Sequence, residues 1–190
     1  MFLASRPPDE LIQDFLQHSK TLPLSCQSVG AGQNPLAGFR IDEASGALGF
    51  GEATLLGAKR ALGEWRHFDL GWVELHPADA EIDPGTVVAV LVRHLGFWSL
   101  NACRVLNVIG DRAAGPSFGF VYGTLTNHAE MGEELFEVKI NSETGEVTYR
   151  IRACSKPRAA LARLGYPITR SLQARFRRDS IAAMQRVLKA

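Results

Sequence analysis

The chain is short of the residues on which recognisable chemistry is usually built. Its three cysteines, Cys26, Cys103 and Cys154, are an odd number without metal-ligand pairing. That excludes a disulfide framework and predicts free, reduced thiols in a cytoplasmic protein. No apolar run approaches the roughly 18 residues that a membrane-spanning helix needs, and the start, MFLASRPPDE, lacks a basic region followed by a long apolar stretch. Neither a signal peptide nor a transmembrane segment is therefore expected. Gly49-Phe50-Gly51 faintly resembles a phosphate-cradling turn, but a Walker lysine and the full glycine spacing are both missing, which leaves a plain turn. No cofactor motif and no complete catalytic signature is present.

What is present is enough apolar sequence for one core. At 190 residues, 46% of them hydrophobic, the chain is too short for two comfortable domains. The single domain divides into an N-terminal helix and lead-in, residues 1–23, and a core, residues 24–190. Pro7 and Pro8 precede Asp9, and Leu11, Ile12, Phe15 and Leu16 follow at helical spacing, ending before Pro23. A loop rich in Gly, Ser and Pro over residues 25–38 leads to a strand at 39–42. Residues 52–65 set Leu55, Leu62 and Trp65 on one stripe with Lys59 and Arg60 beside it, a helix lying on an apolar surface. Residues 72–75 and 86–94 read as strands; the second is apolar on both faces, which assigns it to the middle of the sheet. In the next strand Trp98, Leu100, Ala102, Arg104, Leu106 and Val108 share a face.

The most informative stretch runs from Phe118 to Pro157. Phe118, Phe120, Tyr122 and Thr124 make an aromatic strand, with Gly119 and Gly123 allowing close packing behind it. Glu134, Phe136, Val138 and Ile140 then share a face while Glu133, Glu137 and Lys139 take the other. After the turn Asn141-Ser-Glu-Thr-Gly145, Val147, Tyr149, Ile151 and Ala153 oppose Glu146, Thr148, Arg150 and Arg152. One face is dry and the other wet, as in an antiparallel sheet covered on one side.

Two charges, Arg104 and Glu134, break the dry stripes. A buried charge without a partner is very costly, so the two are expected to pair. The candidate polar site is Arg104, Tyr122, His128, Glu130, Glu133 and Glu134, with Phe120 and Phe136 as aromatic ligand contacts. Glu133, opposite Glu134, is expected to face water. His128, Glu130 and Glu134 carry groups that bind divalent ions, but neighbouring loop ligands with no second histidine make a poor cage, and no metal is assigned. His128 as a general base aligned by Glu130 stands beside a plainer reading, a turn histidine that only holds its loop. Cys103 points away from Arg104, has nothing to activate it, and reads as a buried inert thiol.

A net charge of +1 conceals a divide. From Lys156 onward nine basic residues face one acid, Asp179, net +8; the first 155 residues hold twelve basic and nineteen acidic groups, net −7. Residues 168–188 place Ile168, Leu172, Phe176, Ala183, Met184 and Val187 at helical spacing, a helix long enough to cross a sheet. It is expected to lay this stripe on the acidic sheet and to turn its arginines, Arg177 and Arg178 among them, outward. The alternative is a patch for nucleic acid or an anionic membrane surface, but the aromatic interleaving is limited to Tyr166 and Phe176, and no nucleic acid is expected.

Helix, strand, helix, about six antiparallel strands and a long last helix is the order of a helix-grip architecture. This is an α+β fold whose strongly bent antiparallel sheet wraps the C-terminal helix and leaves a cavity between them. The strings LSCQSVG, GFR, GALGFGEATLLGAKRALGEW, LNACRVLNV, FGFVYGTLTNHAEMGEELFEV and SKP resemble the bacterial and plant family known as the domain of unknown function numbered nineteen-ninety. The most specific parts are Tyr122-Gly123-Thr124-Leu125, His128, Glu130, Gly132-Glu133-Glu134 and Phe136. Cys26, where the family more often has an aromatic, and Ala129, where proline is common, depart from the pattern. The resemblance implies the Bet v 1-like, polyketide-cyclase-like fold and no established activity. The expectation is a non-catalytic binder of a small hydrophobic or amphipathic ligand with Arg104 at its polar end. The alternative is a cyclase- or hydrolase-type enzyme using Tyr122, His128 and Glu134.

Overall fold

The structure, a computed structural model, describes residues 1–26, 38–157 and 166–189. Residues 27–37 of the expected loop, Arg158 and Arg163 of the basic segment, and the side chain of Ile168 lie outside the described part. The chain opens with β1 (Phe2–Leu3) and α1 (Asp9–Ser19), followed by β2 (Arg40–Phe50), α2 (Gly51–Gly63) and a 3-10 turn (Arg66–Phe68). Six strands follow: β3 (Val73–His76), β4 (Val87–His94), β5 (Phe97–Gly110), β6 (Ser117–Thr124), β7 (Glu130–Ile140) and β8 (Glu146–Pro157). The last described element is α3 (Tyr166–Val187). The strands pair antiparallel in the order β2-β8-β7-β6-β5-β4-β3, with β1 alongside β5. This is the expected helix-grip α+β fold, with its first long strand extended to Phe50.

Both faces of the sheet carry apolar residues, so both must be covered. On the concave face Phe120, Phe136, Val138, Tyr149 and Ile151 meet Leu62 and Trp65 of the α2 region and Met184 of α3. On the convex face α1 lays Ile12 and Phe15 over Val87, Ala89, Leu91, Leu100 and Ala102. β4 is therefore apolar on both sides because two different layers cover it. It lies next to the edge strand β3, which corrects the expectation of a central position. A second correction concerns β5. Its register on β6 slips between Val105 and Asn107, making Leu106 the extra residue of a bulge. Ahead of the bulge Trp98, Leu100 and Ala102 belong to the convex core; beyond it Val108 packs on the concave one. Leu106 lies behind Gly123, where a Cβ would stand 2.9 Å from its Cδ1 and 3.2 Å from Leu24 Cδ2, so the missing side chain is what allows the approach.

α3 is held differently at its two ends. Towards its C-terminus Ser180, Ala183 and Met184 are excluded from water, and the Ser180 hydroxyl lies 3.0 Å from that of Tyr149. Towards its N-terminus polar contacts join the partly buried Leu172 and Phe176. Arg170 pairs with Asp42 of β2, Arg177 reaches the same carboxylate at 3.7 Å, and Gln173 donates to Glu130. The indole N–H of Trp72 donates to Asp179 at 3.0 Å, while the Arg175 guanidinium lies 4.4 Å over the Trp72 ring. Arg178 faces solvent as expected, 73% exposed, but Arg177 is only 12% exposed and turned inward. Asp42 is what draws it in.

Lys59 also departs from its expected place beside the α2 stripe. It is 1% exposed, and its Nζ donates to the carbonyls of Asp111, Ala114 and Gly115 at 2.7, 2.6 and 2.9 Å. All three ammonium protons are used, and the β5–β6 loop is closed onto α2.

Replacing Lys59 by methionine keeps the aliphatic stem and strands those carbonyls. Urea denaturation should show a loss of about 1–3 kcal/mol, and an unchanged midpoint would mean that water takes over the carbonyls. The two neighbouring arginines should separate in the same assay. Arg177→Glu sets a like charge against Asp42 and should cost on the order of 2 kcal/mol, whereas Arg178→Glu should stay within about 0.5 kcal/mol. Equal losses would contradict the inward placement of Arg177.

Candidate functional site

Apolar seating at one end of α3 and polar reach at the other leave a wedge between helix and sheet. It is a cavity of about 570 Å³. Its walls are apolar, with Phe68, Trp72, Val90, Val92, Leu172 and Phe176, and at its mouth stand the exposed Phe2, Leu95 and Phe97. His94, Ser99 and Asn101 stand near the Phe2 side of the mouth, while Tyr122, Thr124, His128, Glu130, Glu134, Ser155, Gln173 and Arg177 gather as a polar end against α3.

The β6–β7 pairing builds this end. Tyr122 sits directly opposite Glu134 in the ladder, and its hydroxyl donates to Glu134 Oε2 at 2.9 Å. Glu130 lies four residues before Glu134 and so shares its face of β7. Gly132, between them, has φ 155°, and a Cβ there would run into the Cys154 carbonyl. Its N–H donates to Thr124 Oγ1 at 2.9 Å. Glu130 Oε2 accepts from Ser155 Oγ at 3.3 Å and from Gln173 Nε2. Glu134 is supplied by Tyr122 alone; its other oxygen has no protein donor among the described residues.

These surroundings keep the site weakly charged. Burial pushes the Glu134 carboxyl up to about 7, against the Tyr122 hydrogen bond and the Arg177 charge, which pull it down. Burial also raises Glu130, less the effect of Ser155 and Gln173, and drives the Tyr122 phenol well above its ordinary value, with the Glu134 charge adding to it. His128 is lowered to about 4, again by burial. Its Nδ1 accepts the Glu130 N–H at 2.9 Å, so the neutral ring carries its proton on Nε2.

Of the residues expected at the site, Tyr122, His128, Glu130 and Glu134 come together around the cavity. Arg104 does not. It pairs in register with Gly123, and its Nη2 donates at 3.0 Å to the carbonyls of Lys20 and Leu22 on the convex face, where a cation suits the C-terminal end of α1. The expected Arg104–Glu134 pair is thus excluded, the two lying on opposite faces. Phe120 and Phe136 are fully buried below the cavity with ring centroids 5.2 Å apart, and Phe136 supports the Tyr122 ring at 5.1 Å. Glu133 is buried, against the expectation of a solvated residue; its charge adds to the burial that raises the thiols of Cys26 and Cys154. The Glu130 carboxyl turns to Ser155 and Gln173, so it does not align His128 as a base. All three cysteines carry free thiols, and burial holds that of Cys103 far above its usual range. Among the described residues no three His, Cys, Asp or Glu side chains gather as a metal-ligand cluster.

Sequence reasoning missed Asp42, Gln173 and Arg177. Arg170, Gln173 and Arg177 recur at helical spacing on one side of α3, a signal that could have marked a polar seam. It also missed His67, which is fully buried with both ring nitrogens unpartnered among the described residues. It sits 5.7 Å from Trp65 and 4.7 Å from each of Phe68 and Phe136 by ring centroid, and burial lowers it to about 3.

The family model described as domain of unknown function (DUF1990) matches residues 25–183. The chain is 36% identical over 154 residues to a UPF0548 protein of Dictyostelium discoideum, spanning 77% of this chain and 71% of the relative. To a UPF0548 protein of Arabidopsis thaliana it is 33% identical over 156 residues, 80% and 75% of the two chains. Among solved structures, Ara h 8.0201 superposes with a TM-score of 0.52 at 15% identity, over 80% of this chain and 100% of that one. A hypothetical protein from Helicobacter pylori gives 0.54 at 7% identity, over 86% and 95%. The structural likenesses establish the Bet v 1-like helix-grip fold and nothing about ligands.

The raised Glu134 carboxyl has a thermodynamic signature. Between the unfolded value of 4.5 and about 7 the native state holds a proton that the unfolded chain has lost, so stability falls as pH rises through that window. The total is on the order of 3 kcal/mol. His128 and His67 act with the opposite sign, removing stability as pH falls below 6.5. Comparing wild type with Glu134→Gln from pH 4.5 to 8 isolates the carboxyl: the variant should gain relative stability with rising pH. A constant difference would show that Glu134 titrates in the folded protein as it does in the unfolded chain.

Proposed function

Because the chain belongs to the DUF1990 family and keeps an open cavity inside a helix-grip fold, we propose that it holds a small hydrophobic or amphipathic molecule between α3 and the sheet. The observation that carries this reading is the division of the cavity into aromatic and aliphatic walls and one polar end. Its volume of about 570 Å³ lies in the range of small-molecule sites, roughly 300–1,000 Å³. The apolar residues at the mouth, Phe2, Leu95 and Phe97, give such a molecule an approach that does not strip it of apolar contact. Arg104 plays no part in this version; the polar end is made by β6, β7, β8 and α3.

One observation favours a second reading, catalysis. A carboxyl with its pKa near neutrality, hydrogen-bonded to a phenol in a cavity, can give and take a proton. Glu134 would then be the acid–base group and Tyr122 would position it, with His128 neutral above about pH 4. The basic-helix alternative loses support. Arg170 and Arg177 turn inward to Asp42, and Arg175 and Arg178 both bond Asp179. No helix among the described residues is long and apolar enough to cross a membrane.

Native mass spectrometry of protein from its own host tests the binding reading. A bound small molecule should appear on the wild type and be missing from Val92→Trp, whose indole would occupy the cavity wall, provided the variant keeps its melting temperature. Bare polypeptide in the wild type, or a mass retained by the filled variant, would count against the cavity. Conversion of the captured molecule on incubation would favour catalysis.

A further inference from the structure

Resting on the cavity reading, we infer that the occupant carries a basic amine, held as an ammonium ion by Glu134 at the polar end of the cavity. The acids come first. Glu130 and Glu134 both project from β7 towards the cavity, and the one arginine among the described lining residues, Arg177, lies 3.7 Å from Asp42, a carboxylate it shares with Arg170. A ligand carboxylate would meet two acids and a single arginine that already lies against Asp42.

The donor count points to the same group. An ionised carboxylate offers about four acceptor positions. Glu130 already receives Ser155 and Gln173, whereas Glu134 receives only the Tyr122 hydroxyl. The groups acting on Glu134 from the surrounding elements are Tyr122 on β6, Cys103 on β5, Tyr149 on β8, Asp42 on β2, Glu130 on its own strand and Arg177 on α3. Arg177 is the sole cation of this set. An ammonium supplies both the missing donor and the missing charge, and the aromatic lining, Tyr122 and Phe176 included, suits a cation with an apolar body. An alcohol supplies the donor without the charge. Because burial keeps Glu134 protonated up to about 7, binding the ammonium ionises the carboxyl and sends its proton to solvent.

Titration calorimetry with octylamine, octanol and octanoate separates the possibilities. At pH 8 octylamine should bind at least about tenfold tighter than octanol, with octanoate weakest, an expected gain of one decade for about 1.4 kcal/mol. Octylamine stays charged at pH 5.5 but should bind about 30-fold more weakly there, because Glu134 must give up its proton, while octanol should not change. Glu134→Gln should bring octylamine to the level of octanol; the pH series needs no substitution and stands if that variant folds poorly. Octanol binding with no preference for the amine, or a preference surviving in Glu134→Gln, would overturn the ammonium site and leave the cavity reading intact. If none of the three bound, both would fall.

Discussion

The C-terminal half of α3 is seated on the sheet by apolar contact, with Ala183 and Met184 excluded from water, whereas its N-terminal half, where Leu172 and Phe176 are only partly buried, is held mainly by long polar side chains. An arginine spans several ångströms to its partner; a leucine must touch what it packs on. Tethers of the first kind therefore hold the helix off the sheet where contacts of the second kind would draw it down, and the cavity is the space they keep. Asp42 is the anchor of this arrangement. It stands on β2 at the edge of the sheet and receives both Arg170 and Arg177. Gln173, between these two arginines in sequence, reaches Glu130, so the same helical seam that props the wedge open also furnishes its polar end. Architecture and site are one set of bonds.

Below that end the floor is dry. His67, wedged among Trp65, Phe68 and Phe136 with no partner for either nitrogen among the described residues, behaves as a flat aromatic filler. An unpaired imidazole cannot afford a charge in such a setting, and among the described residues nothing beneath the cavity offers Glu134 a counter-ion. Water exclusion from below and scarcity of donors from the sides act in the same direction on the carboxyl. It is a poorly solvated acid at the edge of an open cavity, which distinguishes it from Lys59, buried more deeply but given all the partners its charge requires.

The pattern of alternation made much of this legible. Within β7 and β8 the two faces read from sequence are the two faces observed, because a period of two is a local property of an extended chain. α1 and α3 were legible for the same kind of reason. Pairing across the sheet is not local. Arg104 was placed correctly on the face of Trp98, Leu100 and Ala102, yet that face and the face of Glu134 are different: Arg104 registers with Gly123 and Glu134 with Tyr122, and neighbours in one strand point to opposite sides. One residue of register separates a buried ion pair from no contact at all. Lys59 and Arg177 escaped because their partners, loop carbonyls more than fifty residues away and a carboxylate on the far edge strand, leave no trace in the surrounding sequence.

The bulge at Leu106 shows how one strand can serve two cores. Ahead of it Cys103 and Val105 face the concave core while Leu100 and Ala102 lie under α1; beyond it the alternation is reset and Val108 turns to the concave side. A bulge adds a bend as well as a residue, and a sheet that wraps a helix must bend. The inserted leucine is not left in solvent either, since it fills the space behind Gly123 beside Leu24. The convex layer then follows as a necessity. A strand that presents leucines and alanines away from the grip would expose them unless something lay across them, and α1 does so through Ile12 and Phe15. The guanidinium that interrupts the same stripe occupies the point just past α1, where the carbonyls of its cap residue Lys20 and of Leu22 take its protons. What read as an intruder in a ligand site is the fitting that fastens the outer helix to the sheet.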